Sequence, residues 1–350
     1  MEGFFAPDDR LVLLAHGRFP DHAKTAVGVL RYGEADVVAV LDRERAGTRV
    51  ADHAPGLPDA PVVASVDEVA GDADALVVGI APSGGAFEAA WRPDVRTALE
   101  AGWDVVAGLH DSLAEDSEFA ALADSHGGSI HDVREPPADL PLGTGAAADA
   151  DAHVVLTVGT DASVGKMTTA VELVRAARER GVDAALVPTG QTGILVAGWG
   201  VAIDRVPADF VSGVVEQMVL ERAPDHDLLV VEGQGSIGHP AYSADAVGIL
   251  HGAGADDLVL VHDPVRETLT GFDAFPVPDP ATSVDLYESV AAPVHPSKVA
   301  AGALDTSVAP SDATARDWLD EYESALGEPA TDPVRFGADV LLEHLGAGSA

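Results

Sequence analysis

Cysteine is absent from the 350-residue chain. That excludes a disulfide scaffold, a thiol nucleophile and a zinc–thiolate site. Lysine is almost absent as well, with Lys24, Lys166 and Lys298 the only three. Long apolar runs are missing too. The best candidate, residues 194–203, is interrupted by two glycines and a tryptophan, well short of the ~18 residues a bilayer helix needs. The opening MEGFFAPDDR has no basic segment leading into an apolar one, so no secretory leader is expected and the location is read as cytoplasmic.

Positive charge of any kind is scarce: 20 Lys and Arg stand against 58 Asp and Glu, a formal net charge of −38. A surface of that sign repels polyanions, so neither nucleic acid nor an anionic membrane is expected as a partner. Carboxylates in excess, with arginine kept and lysine discarded, fit a halophile. At molar salt the Debye length falls to roughly 3 Å and the self-repulsion is screened. A lysine that survives this bias is expected to do something arginine cannot.

Apolar residues make up 47% of the chain and charged ones 22%, which is globular rather than disordered, and the length suits about two domains. Short apolar runs alternate with helical patterns in both halves. Strands are expected at 11–15, 37–41, 61–64, 75–80 and 104–108, with helices at 23–32 and 94–101. The pattern stops over 135–152 (EPPADLPLGTGAAADADA) and restarts with strands at 153–158, 184–187, 227–231 and 257–261, helices at 166–180 and 209–220, a closing strand at 299–304, and terminal helices at 313–326 and 334–345. The expectation is α/β with two domains: a Rossmann-like parallel sheet in 1–134, a linker at 135–152 and a P-loop NTPase-like parallel sheet in 153–350.

Gly159-Thr160-Asp161-Ala162-Ser163-Val164-Gly165-Lys166-Met167-Thr168-Thr169 falls between a predicted strand and a predicted helix. Glycines let the backbone wrap an anion, and the helix N-terminus aims its amides at it. Lys166 is then the phosphate cation. The loop departs from G-x-x-x-x-G-K-[ST] by one extra residue, a spacing that resembles dethiobiotin synthetase, and by Met167 at the position whose hydroxyl normally holds Mg²⁺. A thioether is a poor ligand for a hard cation, and Thr168 points about 100° away around the helix. Phosphate binding is expected; magnesium-assisted cleavage is weakened.

A second apolar strand delivers Glu232-Gly233-Gln234-Gly235-Ser236 to the same carboxyl edge, where open α/β sheets bind ligands. Glu232 is a candidate base or metal-orienting acid. His239 is a candidate acid or base just downstream, beside Ser243. Gln191 and Thr192, in TGQTG, offer polar donors for an oxygen-rich ligand. In the first half, Ala15-His16-Gly17-Arg18-Phe19-Pro20 lacks the glycine pattern of a dinucleotide site, and only Asp42 looks like a ribose-binding acid. The loop at 81–85 is a weak anion site. Lys24 and Arg134 are better placed to grip a substrate carboxylate.

Together, GTDASVGKMTTA, TGQTGILVAGWG, VEGQGSIGHPAYS and AKTAVGVLRYG resemble the DgcN-type family over nearly the whole chain. Its members pair a Rossmann-like domain with a P-loop domain, and they include D-glutamate N-acetyltransferases. The resemblance implies acetyl transfer from acetyl-CoA to the amine of an acidic amino acid. On that basis residues 159–169 would hold the cofactor phosphates, Glu232 or His239 would be the base, and Lys24, Arg134, Gln191, Thr192 and Ser243 would meet the substrate. No metal is needed, and a homo-oligomer is expected, with 194–203 at its interface. A Mg-ATP-dependent ligase or kinase, and a non-catalytic nucleotide-responsive binding protein, are the alternatives.

Overall fold

The computed structural model describes residues 4–6, 8–80 and 85–346. It divides into two compact units: residues 1–136 with 191–205, and residues 137–190 with 206–350. Both are α/β, each built on a six-stranded parallel sheet.

In the first unit β1 (Arg10–Leu14), β2 (Asp36–Leu41), β3 (Val62–Val63), β4 (Ala75–Val78), β5 (Asp104–Ala107) and β6 (Ile130–Asp132) lie in the order 3-2-1-4-5-6. This is the doubly wound Rossmann order. Leu11 to Leu14 have no exposed surface, as expected for a strand with helices on both faces. Truncating any of these leucines to alanine costs about 2–5 kcal/mol.

A later piece of chain completes this core. Residues 191–197 form a helix, which the sequence reading did not anticipate, and Ile194, Leu195 and Ala202 are buried in the same cluster as β1 and β4. The stretch 194–203, expected at a subunit interface, is therefore internal. The helix lies close against Lys24–Tyr32: a Cβ on Gly28 would be 2.8 Å from Thr192 Cγ2, and the Thr25 and Thr192 hydroxyls are 3.3 Å apart. Small side chains permit the approach.

In the second unit β7 (His153–Gly159), β8 (Ala184–Val187), β9 (Leu228–Val231), β10 (Asp257–His262), β13 (Lys298–Leu304) and β14 (Ala330–Thr331) take the order 14-13-10-7-9-8. The strand read as closing the sheet is β13, with β14 outside it. A hairpin of β11 (Thr268–Leu269) and β12 (Phe272–Pro276), not anticipated from the sequence, follows β10. The last helix is only Asp339–His344, because Asp332 accepts the Val334 and Arg335 amides and holds a turn where helix was expected. The proline- and glycine-rich stretch before β7 is anchored, not loose. Buried Glu216 accepts the Thr144 amide and hydroxyl and the Ala146 amide. Burial alone would raise the Glu216 carboxyl; the Thr144 hydroxyl and the two amides hold it below its usual range. Among the described residues no helix is long and apolar enough to cross a membrane.

At the amino edge of this sheet His153 Nε2 lies 2.9 Å from Asp257, joining the starts of β7 and β10. The Asp257 hydrogen bond raises the imidazole against the opposing effect of burial; burial would raise Asp257, but that same bond, the Gly346 amide and the His153 charge together hold the carboxyl below its usual range. His153 thus stabilises the fold fully below its unfolded value near 6.5 and loses the effect as pH rises through the raised folded value. Asp257 contributes above its unfolded value and loses it in acid. His153→Ala should lower Tm by on the order of 2–4 °C at pH 5.5 and by much less at pH 9. Thermal melts in matched salt check this; equal losses at both pH values would refute it.

Candidate functional site

The loop from Gly159 to Lys166 joins β7 to the helix Lys166–Glu179 at the carboxyl edge of the second sheet. Two residues take left-handed backbone to make the curve: Ser163, with φ of 54°, and Gly165, with φ of 105°. Serine pays a steric cost there that glycine does not. The first-turn amides of the following helix have no carbonyl of their own turn to bond, so the helix presents them, with its dipole, toward the loop.

Lys166 is only 6% exposed, and its Nζ donates to the Asp161 carbonyl across the loop at 2.7 Å. A Cβ on Gly159 would lie 3.0 Å from that Nζ, and one on Gly233 would strike the Thr157 carbonyl and sit 3.4 Å from Lys166 Cδ. Gly233 is therefore required by the Thr157 carbonyl, and Gly159 by the crowding of Val164, Lys166 and the Asp161 carbonyl around it. A buried ammonium, a left-handed glycine and a helix N-terminus suit a phosphate group. Met167 and Thr168 follow half-buried and Thr169 is buried, with a thioether at the position after the lysine.

The loop is braced from outside by residues that sequence reading missed. Asp161 has no exposed surface and accepts the Thr270 amide at 2.8 Å, the Thr270 hydroxyl at 2.9 Å and Arg266 at 3.0 Å. Burial would raise this carboxyl, but the Thr270 amide, Arg266 and the Thr270 hydroxyl together hold it below the usual range. Arg266 also donates to the Ala162 and Ser163 carbonyls. Tyr287, fully buried, donates to the Gly159 carbonyl at 2.9 Å and accepts the Ile237 amide at 3.3 Å. Thr160 meets His262 Nδ1 at 2.9 Å, and burial pushes that imidazole below its ordinary range. Asp161, expected among the phosphate residues, is thus a brace whose side chain faces the hairpin. An arginine soon after a strand end, in so cation-poor a chain, was the one available sequence signal.

Glu232 continues β9 and is 6% exposed. Its Oε2 accepts the Thr189 and Gly190 amides at 3.2 and 3.1 Å, and its carbonyl accepts the Thr189 hydroxyl at 2.6 Å. The carboxylate is thereby fixed in orientation beside Gly233 and the lysine stem. His239 is fully buried, with Nδ1 accepting the Ala241 amide at 3.2 Å and Nε2 donating to the Thr270 carbonyl at 3.1 Å. It stacks on Tyr242 and meets Phe272 edge-on. Both ring nitrogens are spent on backbone, so in this arrangement His239 ties the 236–243 loop to the hairpin and has no nitrogen left for proton transfer. Ser243 opens the next helix, its amide bonded to the His239 carbonyl.

In the first unit Arg134 reaches the Gly108 carbonyl and Gln191 Oε1, both at 2.8 Å from Nε, and pairs with Asp204. Its charge is already matched, and the Gln191 amide oxygen is engaged with it. Thr192 is buried against Thr25, whereas Lys24 is exposed at its helix start. Asp42 has no exposed surface and accepts the Gly17 and Glu44 amides, each at 3.0 Å, and Arg45. It secures its own loop and is not a ribose ligand. Of the loop at 81–85, only Gly85 lies within the described residues.

Asp161→Ala should strip the brace and leave the Thr270 amide and hydroxyl and one Arg266 contact without their acceptor, costing roughly 1–3 kcal/mol. Denaturant titration would show it, and Asp161→Asn should recover part of the loss. No loss in the alanine variant would mean that the hairpin does not hold the loop.

Comparison with known proteins agrees with this architecture. Residues 43–136 match the family described as Domain of unknown function (DUF1611_N) Rossmann-like domain, and 141–342 match Domain of unknown function (DUF1611_C) P-loop domain. A D-glutamate N-acetyltransferase of Tritonibacter scottomollicae is 34% identical over 344 residues, 96% of this chain and 98% of that protein. One of Pseudoalteromonas sp is 35% identical over 273 residues, 78% and 81% of the two chains. The crystal structure of a DUF1611 family protein from Anabaena variabilis is 38% identical, with a TM-score of 0.90 over 97% of this chain and 99% of that one. The resemblance seen in the motifs holds across both units: the chain belongs to the DUF1611 family and is an acyltransferase.

Proposed function

We propose that the protein transfers acetyl from acetyl-CoA to the amine of an acidic amino acid, D-glutamate first among them. The observation that carries the donor is the pairing of a complete phosphate cradle with Met167. The loop offers a buried cation, helix-end amides and a left-handed glycine, while a thioether stands where a magnesium-holding hydroxyl belongs. That combination suits holding a phosphorylated carrier better than cleaving a triphosphate. The names of the two relatives support the acetyl group and the acceptor.

Coenzyme A supplies an activated acyl group on a long arm. Lys166 and the amides of residues 159–169 would grip its phosphates by charge-assisted hydrogen bonds. Its pantetheine arm can span at most about 14 Å, the length of roughly four extended residues, so the thioester could sit well away from the phosphates. Glu232, next to Gly233 and the lysine stem, belongs on this reading to the anchor: it sets the Thr189–Gly190 turn and the edge of the cradle. The acceptor must lose a proton before it attacks, and a basic group has to accept it.

Lys166→Ala should weaken acetyl-CoA binding about 10- to 100-fold, the worth of a lost charge-assisted contact. Calorimetry in molar salt without magnesium measures it. Unchanged affinity would remove the loop from the cofactor site. Magnesium-dependent ATP binding with release of ADP would favour the ligase or kinase reading instead. Thiol release from acetyl-CoA, followed across D- and L-amino acids, identifies the acceptor. Acidic amino acids should lead, and no release with any of them would overturn the proposal.

A further inference from the structure

At the carboxyl edge of the first unit's sheet, the residue following β1 and Ala15 is His16. Its ring is 6% exposed, and Nε2 lies 3.0 Å from Asp94 Oδ2. The carboxylate is 2% exposed. It also receives Arg43 at 2.6 Å and the Val66 amide at 3.2 Å, so both of its oxygens are engaged. Ionised Asp94 accepts only, so Nε2 carries the hydrogen and Nδ1 is left as a lone-pair acceptor. That Nδ1 is buried and has no hydrogen-bond partner among the described residues. Orphaned buried polar atoms are costly and uncommon in a native fold, and each calls for a reason.

The position supplies one. β1 is flanked by β2 and β4, which lie on opposite sides of it, and strand order reverses there. Open α/β sheets take their ligands at this switch point. The group also has the makeup of a proton-accepting pair: a carboxylate that fixes one ring nitrogen and would stabilise an imidazolium, with the other nitrogen unclaimed. Arg43 uses one amino group on Asp94, and two-fifths of its side chain remains exposed to meet an anion. None of the residues assigned to the donor contributes to it, and Arg134, the sequence candidate for a substrate carboxylate, is matched by Asp204.

We propose that His16, held by Asp94 and flanked by Arg43, is the acceptor site of the first unit. An amino acid's ammonium donates to His16 Nδ1, and one of its carboxylates pairs with Arg43. The proton step balances simply. The N–H bond of the ammonium breaks, its proton moves to Nδ1, and the amine keeps the electron pair it needs as nucleophile. The choice of an acidic amino acid rests on the acetyltransferase reading; the donor–acceptor chemistry of the site does not.

His16→Gln tests it. Its terminal amide can still donate to Asp94 but places no acceptor where Nδ1 was. Calorimetry on the full chain in molar salt, with D-glutamate and separately with acetyl-CoA, should show D-glutamate affinity down about tenfold or more and acetyl-CoA affinity unchanged. Arg43→Gln, at a half-exposed position, serves if the histidine variant does not fold. It should weaken D-glutamate binding by a similar factor and weaken binding of the corresponding amino alcohol far less. Wild-type D-glutamate affinity in either folded variant overturns the site, even where acetyl transfer proceeds normally. If the wild-type chain transfers no acetyl group but its D-glutamate binding still depends on His16, the acetyltransferase reading falls and the site stands.

Discussion

A molecule carrying 58 carboxylates can hold an anion only where local dipoles and a sheltered cation outweigh its own field. Everything at the carboxyl edge of the second sheet serves that constraint. Lys166 is drawn under the loop to the Asp161 carbonyl, the glycines at 159 and 233 clear space for it, and Gly165 turns the chain so that a helix N-terminus faces the same point. Asp161 and Glu232, the carboxylates closest in sequence to this region, are satisfied by backbone amides. Their lone pairs are directed into the protein frame, which limits how far they oppose an incoming phosphate.

How legible this was depended on the range of the cause. The phosphate loop could be read because glycine spacing, a preceding apolar strand and a following helix are local facts, and the same holds for two parallel sheets inferred from alternating runs. The brace could not. Asp161 is answered by Arg266 and Thr270, more than a hundred residues later. His239 shows the same limit from the other side. A loop histidine reads as a possible acid or base until one sees Thr270 and Ala241 occupying its two nitrogens. Arg134 looked like an available cation because Asp204, its partner, is distant in sequence.

The helix 191–197 went unseen for a related reason. The TGQTG run that leads into it offers polar donors of the kind a ligand site uses, and its apolar continuation resembles an interface patch when no neighbour is in view. Tertiary packing overrides both signals: Ile194 and Leu195 are fully buried in the first unit's core, and Gly28 lets Thr192 come close. The polar positions that a functional reading favoured, Gln191 and Thr192, are used in securing that helix.

That borrowed helix also sets an order of events during synthesis. The first unit's core includes side chains at 194, 195 and 202, which lie between β8 and β9 of the second sheet. A ribosome must therefore deliver β7, the phosphate loop, its helix and β8 before the N-terminal hydrophobic core can be completed. Domains commonly finish in sequence as they emerge. Here the earlier one has to wait, part-formed, for the later one to be half made.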